Sequence, residues 1–287
     1  MKQLNSLISS GQLQQAMEHA LLVLRDDPLN AQMRAVYVEL LCIAGELEKA
    51  DAQLDMIVRQ HPDFLLGAVN VRQLIRAETA RRDFYQGGMT ATLFGEPAPM
   101  FSALLKLRLA MHEQDSGAAA LAAEEMEQLR PQVAMEHQDQ LHADIRDLDD
   151  SLGGYLELFG TDGKYYLAGF EQIASLKLHP PKSLLDIIWR RVDISIVDGP
   201  QGEAFLPLIY VANTTDTNTT DTKTDTDADP AIRLGRVTDW HEHDARLITG
   251  SGQKMVLLGE QAVALGDLLE LNALSEQSTP AKPAMAE

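Results

Sequence analysis

Apolar side chains in the first 150 residues recur at intervals of three and four, the spacing that places them on one face of an α-helix. The pattern predicts successive amphipathic helices joined by short turns. A last stripe of this kind, formed by Leu141, Ile145 and Leu148, extends the predicted all-helical part to Asp150. The other predicted helices cover residues 4–8, 13–24, 31–44, 47–60, 64–80, 101–109 and 118–129.

A small framework of residues occurs twice near the N-terminus, with a shift of 34 positions. Its glycine ends a helix where the chain needs a positive φ angle, its alanine lets two helices cross closely, and its proline closes the unit. A period of 34 residues is that of the tetratricopeptide helix–turn–helix repeat. The strict repeat ends before a third copy, where Thr79 and Arg81 replace the glycine and the leucine. The two copies are Gly11, Leu13, Ala16, Arg25 and Pro28, and Gly45, Leu47, Ala50, Arg59 and Pro62.

Repeats of this kind must stack to bury their apolar faces, and the stack has a concave surface that binds peptides. The framework therefore predicts a binding protein rather than an enzyme. In tetratricopeptide units the first helix of each pair lines this surface, and the mixture of side chains found there suits an amphipathic helix as ligand. An alternative is that Leu66 and Val69 pack under the helices that follow. The predicted partner-binding residues are Gln32, Ala35, Glu39, Ile43, Leu66, Val69, Gln73 and Arg76.

A pair of glycines at 153–154 marks a change from helical spacing to short strand-like segments separated by turns. The clearest of these is a hairpin over residues 155–168, with Asp162 and Gly163 at its turn. Beyond the hairpin, the pattern predicts strands at 192–197, 203–210, 232–238 and 254–258, a short helix at 183–188, and a final helix or strand at 265–274.

These patterns predict an α+β protein of two domains. The first is a tetratricopeptide-like α-solenoid over residues 1–150, and the second is a small antiparallel β-sheet or partly closed barrel with short helices over residues 151–274. Residues 213–229 contain eight threonines and five aspartates, and we predict a disordered loop because this tract has almost no apolar surface to bury. The tract lacks the glycine and the terminal glutamate of an EF-hand, so no calcium site is predicted. Residues 275–287 are predicted to form a flexible tail.

The composition narrows the functional classes. Acidic residues outnumber basic ones by 43 to 24, and the net charge of −19 gives no overall attraction to nucleic acid or to an anionic membrane. No apolar segment is long enough to span a bilayer, and the N-terminus has no signal-peptide pattern. The single cysteine, Cys42, excludes an intramolecular disulfide and is predicted to be a small buried side chain on a helix. Together these features predict a cytoplasmic protein without membrane insertion.

The densest group of possible metal ligands runs from Asp239 to Asp244 and contains His241 and His243. On a strand the two imidazoles would share one face, as a zinc site can use, but no third ligand lies at a suitable spacing. No nucleophile elbow, Walker loop or dinucleotide-binding glycine motif occurs. One alternative function is a ligand-binding or metal-dependent hydrolytic β domain carried on a repeat scaffold, with Asp239 and the two histidines as its site. A self-associating structural scaffold is another.

The C-terminal half contains three motifs, and the last of them is quite specific. They are Leu184-Leu-Asp-x-x-Trp189, Phe205-Leu-Pro-x-x-Tyr210 and Arg233-Leu-Gly-Arg-x-Thr-Asp-Trp240, and they follow a hairpin that contains Gly154 and Lys164-Tyr165. Together with the helical N-terminus, these motifs resemble the ImpE/SciE/TagJ family of accessory proteins of bacterial type VI secretion systems. The resemblance implies a cytoplasmic, non-enzymatic adaptor without a cofactor or metal ion. It also implies that the chain binds the N-terminal helix of the small sheath subunit and, in some systems, links the sheath to its disassembly ATPase.

The motif residues are predicted to be structural. The four aromatic side chains among them are expected in the core of the β domain. Arg233 and Arg236 are three positions apart on a predicted strand, so they are expected on opposite faces, with at most one pointing inward. An inward arginine would need a carboxylate partner, and Asp186, Asp193 and Asp239 are candidates. The motif residues are Trp189, Phe205, Pro207, Tyr210, Arg233, Gly235, Arg236, Asp239 and Trp240.

Overall fold

The structure is a computed structural model that describes residues 2–211 and 230–274. An N-terminal helical part is followed by a part built mainly from antiparallel strands, so the described chain is an α+β protein, as predicted. The predicted loop at 213–229, together with the question of calcium binding there, and the predicted tail at 275–287 lie outside the described residues.

Helices dominate the chain up to Leu129. The helices predicted at 31–44 and 47–60 agree with the observed ones to within one residue, whereas the helix predicted at 64–80 continues to Tyr85. None of the described helices has the length and apolar character that a membrane span needs. The α-helices are α1 (Lys2–Ser9), α2 (Leu13–Asp26), α3 (Ala31–Ile43), α4 (Leu47–Gln60), α5 (Leu65–Tyr85), α6 (Pro99–His112), α7 (Ser116–Leu129) and α8 (Pro230–Arg233), and single 3-10 turns lie at Pro62–Phe64, Phe170–Gln172, Leu185–Ile187 and Leu265–Asp267.

Gly11 and Gly45 end α1 and α3 with the same geometry. Their φ angles are +80° and +81°, a conformation in which a side chain would be strained. In each turn the N–H of the residue after the glycine donates to the carbonyl five positions earlier, at 2.8 and 2.9 Å. In the following helices Ala16 and Ala50 are fully buried, so each pair of helices crosses closely, as the framework predicts.

Cys42 is buried on α3, as predicted for a small apolar side chain. Burial, with Glu39 and Glu78 nearby, raises the pKa of the thiol well above its ordinary value. The sulfur therefore stays protonated and is not activated as a nucleophile.

The strands form one nine-stranded sheet and two three-stranded sheets within the described ranges. They are β1 (Thr92–Leu93), β2 (Met135–His137), β3 (Gln140–His142), β4 (Ile145–Asp147), β5 (Tyr155–Gly160), β6 (Tyr165–Gly169), β7 (Ile173–Leu178), β8 (Trp189–Ile196), β9 (Gln201–Pro207), β10 (Ile209–Tyr210), β11 (Thr238–Asp244), β12 (Leu247–Gln253), β13 (Met255–Leu258), β14 (Gln261–Ala264) and β15 (Glu270–Ala273).

The large sheet has the order β1-β6-β5-β9-β8-β7-β15-β2-β3, and the small sheets have the orders β10-β12-β11 and β14-β13-β4. Every neighbouring pair is antiparallel except β1 with β6. The two outer strands of the large sheet do not pair with each other, so the sheet is open. The partly closed barrel, one of the two predicted forms, is therefore wrong.

Most of the predicted strands correspond to observed ones. The predicted hairpin is β5 and β6, and the strands at 192–197, 203–210 and 254–258 correspond to β8, β9 with β10, and β13. The undecided segment at 265–274 is a 3-10 turn followed by β15, and the short helix at 183–188 is a single 3-10 turn.

The segment after α7 forms β2, β3 and β4, so the prediction that the helical part continues to Asp150 is wrong. Gln138 and Asp139 have φ angles of +50° and +60° and form a two-residue turn between β2 and β3. Of the residues that suggested a helix, Ile145 is buried but Leu141 is 63% exposed, so they do not share one face. The turn contains no glycine, and nothing in the local sequence marks this hairpin.

The strand predicted at 232–238 is wrong over most of its length. Pro230 begins the one-turn helix α8, since proline favours the first helical position. Gly235, with φ of +60°, ends this helix, and β11 starts only at Thr238.

The helical part and the large sheet share one hydrophobic core. Phe84 on α5 lies between Phe101 on α6 and Tyr165 on β6, with ring centroids 6.4 and 5.8 Å away. Trp189 at the start of β8 packs edge-on against Phe159 of β5 at 6.0 Å, in the same cluster. A second cluster lies within the sheet part. The shared core fixes the sheet against the helices and therefore determines which helix faces stay open.

Candidate protein-binding surface

The four predicted contact residues of α3 lie on a face that the sheet part partly covers. Gln32, in the first turn of the helix, is exposed, and Ala35 is half-buried. Further along, the Glu39 carboxylate accepts a hydrogen bond from the Leu184 N–H at 3.1 Å, and Ile43 is buried. Burial raises the pKa of Glu39. The segment that carries Leu184 therefore lies against the C-terminal half of this face.

The contact residues predicted on α5 divide between an open and a covered region. Leu66 and Val69 are 80% and 41% exposed, so they do not pack under later helices. Gln73 is half-buried beside the β5–β6 turn, where its side chain leaves no room for a Cβ atom at Gly163. Arg76, one turn further along, is exposed. The hairpin therefore lies against the middle of α5 and leaves its N-terminal turns open.

Four exposed apolar residues extend the open region around the start of α5. We call Phe64, Leu65, Leu66 and Val69 the α5 patch. Phe64 and Leu65 were not among the predicted contact residues. Their exposure could have been predicted from the uninterrupted apolar run from Phe64 to Leu66. One helix face cannot bury three consecutive side chains, so at least one of them had to be exposed.

Arg72 holds the open half of α5 against α4. Its Nε donates to Asp51 at 2.6 Å, and its Nη2 donates to Asp55. The hydrogen bond and the charge of the guanidinium lower the pKa of Asp55. These contacts with α4 fix the orientation of the N-terminal half of α5, which carries the α5 patch.

Arg233 and Arg236 both reach across to the helical part. Arg233 Nη1 donates to the carbonyl oxygen of Ala44, and Arg236 Nη2 donates to that of Ile8. Both acceptors lie at the C-terminal ends of helices, where a positive charge is favourable. The expectation that the two arginines occupy opposite faces of a strand is wrong, because this motif forms α8 and the turn after it.

Two of the three carboxylates proposed as partners of these arginines make other contacts. Asp186 Oδ2 accepts from the backbone N–H of Lys182 and from the N–H and hydroxyl of Ser183, at 2.8 to 3.0 Å. Asp193 Oδ2 lies 3.0 Å from His179 Nε2. Asp186 therefore closes the loop before the 3-10 turn, and Asp193 lies on the polar face of β8.

Of the four motif aromatics, two are buried as core residues, one is half-buried and one is exposed. Trp189 and Tyr210 are buried and Phe205 is half-buried, whereas Trp240 is 40% exposed on the outer strand β11, so the core expectation is wrong for Trp240. The Tyr210 ring lies 6.0 Å from that of Trp240, and its hydroxyl donates to Asp147 at 2.7 Å. The remaining motif residues are Pro207, which is buried, Gly235, which ends α8, and Asp239, which is exposed.

A buried network of charges joins α5 to the sheet part. Arg81 donates to both carboxylate oxygens of Glu157, at 2.8 and 2.7 Å. Lys254 Nζ donates to Glu157 at 2.6 Å and lies 3.4 Å from Asp147. The Tyr165 hydroxyl also donates to Glu157, at 2.8 Å. The sequence pattern marks Arg81 as a break in the repeat and as part of a basic cluster, but it does not reveal the partner Glu157, which is 76 positions away.

The pKa values of Glu157 and Asp147 in this network are shifted in opposite directions. Burial alone would raise the pKa of Glu157, but Arg81 and Lys254 outweigh it and hold that pKa well below its ordinary value. Burial raises the pKa of Asp147 to about 6, an effect that Lys254 only partly offsets and that Asp149 reinforces. Glu157 is therefore ionised at neutral pH, and the raised pKa of Asp147, about 6, places its titration at mildly acidic pH.

The two histidines that suggested a zinc site lie on one face of β11. His241 Nε2 is 3.0 Å from the Ser251 hydroxyl, and His243 Nε2 is 2.8 Å from the Thr249 hydroxyl. Within residues 2–211 and 230–274, no group of three or more His, Cys, Asp or Glu side chains is placed to hold a metal ion. The geometry therefore gives no support to the metal-dependent hydrolytic alternative.

Comparison with known proteins identifies the family. The profile of the family described as ImpE protein matches residues 139–272. The chain is 28% identical over 267 residues to TagJ of Pseudomonas aeruginosa, described as a type VI secretion system accessory component, and the match covers 93% of this chain and 89% of that relative. The crystal structure of protein VPA1032 from Vibrio parahaemolyticus is 35% identical, has a TM-score of 0.85, and covers 96% of this chain and 98% of its own. These matches show that the chain is similar to an accessory component of a type VI secretion system. The chain belongs to the ImpE/TagJ family.

Proposed function

We propose that the chain is a non-enzymatic, cytoplasmic adaptor of a bacterial type VI secretion system. Membership of the ImpE/TagJ family supports the accessory role, since the similarity to TagJ extends over 93% of the chain. The observation that carries the adaptor role is the α5 patch, which leaves four apolar side chains exposed around the start of α5. Contiguous exposed apolar surface of this kind marks sites of protein binding.

We further propose a tetratricopeptide-like domain over residues 1–150 and an ImpE-type α+β domain over residues 151–274. The equal turns at Gly11 and Gly45, 34 positions apart, and the buried alanines Ala16 and Ala50 support the repeat. β2 pairs with β15 and β4 pairs with β13, and both partners belong to the second domain. The first domain therefore contributes strands to the large sheet and to one of the small sheets.

The proposed ligand is the amphipathic N-terminal helix of the small sheath subunit. Such a helix binds through apolar side chains that recur every three or four residues and through polar contacts at its edges. Leu66 and Val69 on α5, with Ala35 on α3, supply the apolar floor, and Gln32 and Arg76 supply the polar rim. The other predicted contact residues, Glu39, Ile43 and Gln73, contact the sheet part or are buried, and we propose that they shape the closed end of the groove.

A connection between the sheath and its disassembly ATPase is the second part of the proposed role. It follows from the family resemblance, and it requires a surface that remains free when the sheath helix is bound. Leu109 and Leu121, exposed on α6 and α7, lie on helices other than those of the proposed groove. A second partner there would not compete with the helix.

Binding of the purified chain to the purified small sheath subunit tests this function. Full-length subunit should co-elute with the chain in gel filtration, and a subunit that lacks its N-terminal helix should not. Calorimetry with a synthetic peptide of that helix should then give one site per chain. Absence of any interaction with the full-length subunit would contradict the proposal, and equal binding of the truncated subunit would remove the helix as the ligand.

A further inference from the structure

One edge of the outer strand β11 makes no strand pairing. On its inner side, the Gln253 N–H of β12 donates to the carbonyl of Val237, just before β11, at 2.9 Å. Backbone groups of an antiparallel strand alternate in direction, so the odd-numbered residues at the start of β11 bond to β12. The N–H and C=O groups of Thr238, Trp240 and Glu242 therefore point outward, and no strand within residues 2–211 and 230–274 pairs with them.

The far side of β12 agrees with this alternation. Ile248, which faces Glu242 in the ladder, donates its N–H to Asp150 Oδ2 at 2.8 Å and accepts from the Asp150 N–H at 2.9 Å. Gly250, which faces Trp240, also donates away from β11, to a carboxylate of the same loop at 3.0 Å. The residues opposite them on β11 therefore have their backbone groups on its outer edge.

Among the outer strands of the described sheets, β11 is the longest. It contains seven residues, whereas β1, β3, β4, β10 and β14 contain two to four each. Short outer strands are one way in which proteins prevent a second chain from adding to a sheet. The edge of β11 lacks this protection and is long enough to pair with another strand.

Trp240 lies at the middle of this edge and is held in place. Its side chain is 40% exposed, and its ring lies 6.0 Å from that of Tyr210. A Cβ atom on Gly250 would lie 3.2 Å from Trp240 Cζ3 and 2.5 Å from Tyr210 Cε2, so both rings pack onto bare backbone. Ile248, which is also partly exposed, lies on the same face of the sheet. A fixed and partly exposed tryptophan is typical of the centre of a protein interface.

We propose that β11 pairs with the β11 of a second copy of this chain, antiparallel, about a two-fold axis at Trp240. The contact would join two three-stranded sheets into one continuous sheet of six strands. Because a two-fold contact uses the same surface on both copies, it closes at a dimer.

The side chains of β11 suit a copy of themselves in this register. Trp240 would face Trp240 of the other copy, and aromatic pairs across strands stabilise a sheet. Thr238 would face Glu242, so no two carboxylates would lie directly opposite each other. A shift of the axis by one residue would place Asp239 opposite its own copy in one direction, or Trp240 opposite Glu242 in the other. The register centred on Trp240 is therefore the favoured one.

The net charge of the chain opposes this contact. Each copy carries a charge of −19, so two copies repel each other, and salt screens this repulsion. Dimerisation should therefore become stronger as the ionic strength rises. Pairing with an extended basic segment of another protein would show the opposite salt dependence.

A dimer would carry two α5 patches and could bind two sheath-subunit helices at once. This consequence rests on the proposed function, whereas the pairing of β11 is measured on the chain alone, without any ligand. A failure of peptide binding would therefore leave the pairing standing, and a monomeric chain would leave the proposed function standing.

Sedimentation velocity of the whole chain tests the pairing. The wild type should show a reversible monomer–dimer equilibrium, with more dimer at about 1 M than at about 0.1 M salt, because the Debye length falls from about 10 to about 3 Å. Trp240→Ala should weaken dimerisation at least about tenfold. The control Leu269→Ala, at an apolar position of the sheet part that is 62% exposed, should dimerise like the wild type. A wild type that is monomeric at about 200 μM, or a dimer that Trp240→Ala leaves unchanged, would overturn the proposal.

Two variants of one residue test whether the contact uses the backbone. Glu242→Pro removes an N–H that points outward, at an edge position where proline is tolerated, whereas Glu242→Ala keeps this N–H and removes only the charge. We expect Glu242→Ala to dimerise at least as strongly as the wild type and Glu242→Pro to dimerise at least about tenfold more weakly. Circular dichroism checks that both variants fold. Equal dimerisation of the two would contradict strand pairing.

Engineered cysteines test the register independently of the proline variant. In the proposed dimer the Cα atoms of the two copies of residue 240 lie about 5.5 Å apart, within reach of a disulfide, and those of residue 242 lie about 14 Å apart. Under mild oxidation Trp240→Cys should form a covalent dimer and Glu242→Cys should not. The native Cys42 is buried and does not compete. Equal or greater cross-linking at residue 242 would contradict an axis at Trp240.

Discussion

Arg81 on α5 and Glu157 on β5 lie 76 positions apart in the sequence and form a buried ion pair with two hydrogen bonds, at 2.8 and 2.7 Å. Arg81 also donates to the Ile209 carbonyl at 2.9 Å, so one side chain joins the helix to two strands of the sheet part. A buried pair of this kind fixes geometry more reliably than it adds stability. Here it determines where the sheet meets α5, and therefore where the open face begins.

Removal of Arg81 should destabilise the protein strongly. Arg81→Ala leaves Glu157 in the core with Lys254 as its remaining cation, and a broken buried pair typically costs about 3–5 kcal/mol of unfolding free energy. Urea unfolding followed by circular dichroism measures this cost. The exposed Arg25→Ala is the control and should change little; equal losses in the two variants would contradict the role of the network.

Asp147 should make part of the stability depend on pH. Its pKa rises from 3.8 to about 6 on folding, so the folded state binds this proton more tightly. The stability it contributes is greatest in acid and is lost as the pH rises through about 6. Above pH 5 Glu157 is charged in both states and contributes no slope, because its pKa is lowered on folding.

The variant Asp147→Asn removes this titration. The unfolding free energy of the wild type, relative to the variant, should therefore fall by about 1 kcal/mol between pH 5 and pH 7.5. Urea unfolding at several pH values in this window measures the difference. A constant difference across the window would show that Asp147 does not titrate there.

Ala50 tests the close crossing of α3 and α4. Its side chain is fully buried, so Ala50→Leu should overpack the crossing and lower the unfolding free energy by about 1–3 kcal/mol. Ala52→Leu, at an exposed position two residues further along α4, should leave the melting temperature nearly unchanged. Equal melting temperatures for the wild type and both variants would remove the repeat assignment for this pair of helices.

Local signals account for the parts of the fold that the sequence predicts. The boundaries of α3 and α4 follow from a glycine turn and the apolar spacing, and the β5–β6 hairpin follows from Asp162-Gly163. Where a turn has no such marker, as at Gln138-Asp139, the prediction fails.

Contacts between distant residues account for what the sequence does not predict. The order of the large sheet, the pairing of Arg81 with Glu157 and the contact of Glu39 with Leu184 all join segments separated by many residues. The repeat framework predicts which residues line an inner face, but not that the chain's own sheet part covers half of it. For the same reason the local pattern predicts a strand at Arg233 and does not reveal its contact with the Ala44 carbonyl at the end of α3.

Arg76 should contribute to binding without contributing to the fold. Its side chain is exposed beside the proposed groove, so Arg76→Glu should weaken binding of the sheath-subunit peptide about three- to tenfold, mainly at low salt. The melting temperature should not change. The control is Arg25→Glu on α2, and an equal loss of affinity in both variants would mean that net charge, not position, is responsible.

The central claim is that the sheath-subunit helix binds at the α5 patch, and fluorescence anisotropy with a labelled peptide of that helix tests it most directly. Leu66→Asp places a charge at a position that is 80% exposed in the centre of the patch, and Leu121→Asp makes the same change at a position on α7 that is 60% exposed. Both variants should fold like the wild type, since neither side chain is part of the core. We expect Leu66→Asp to weaken binding at least about tenfold, because a charge must lose water in an apolar contact, and Leu121→Asp to bind like the wild type. Equal affinity of all three proteins would contradict the account and place the ligand on another surface.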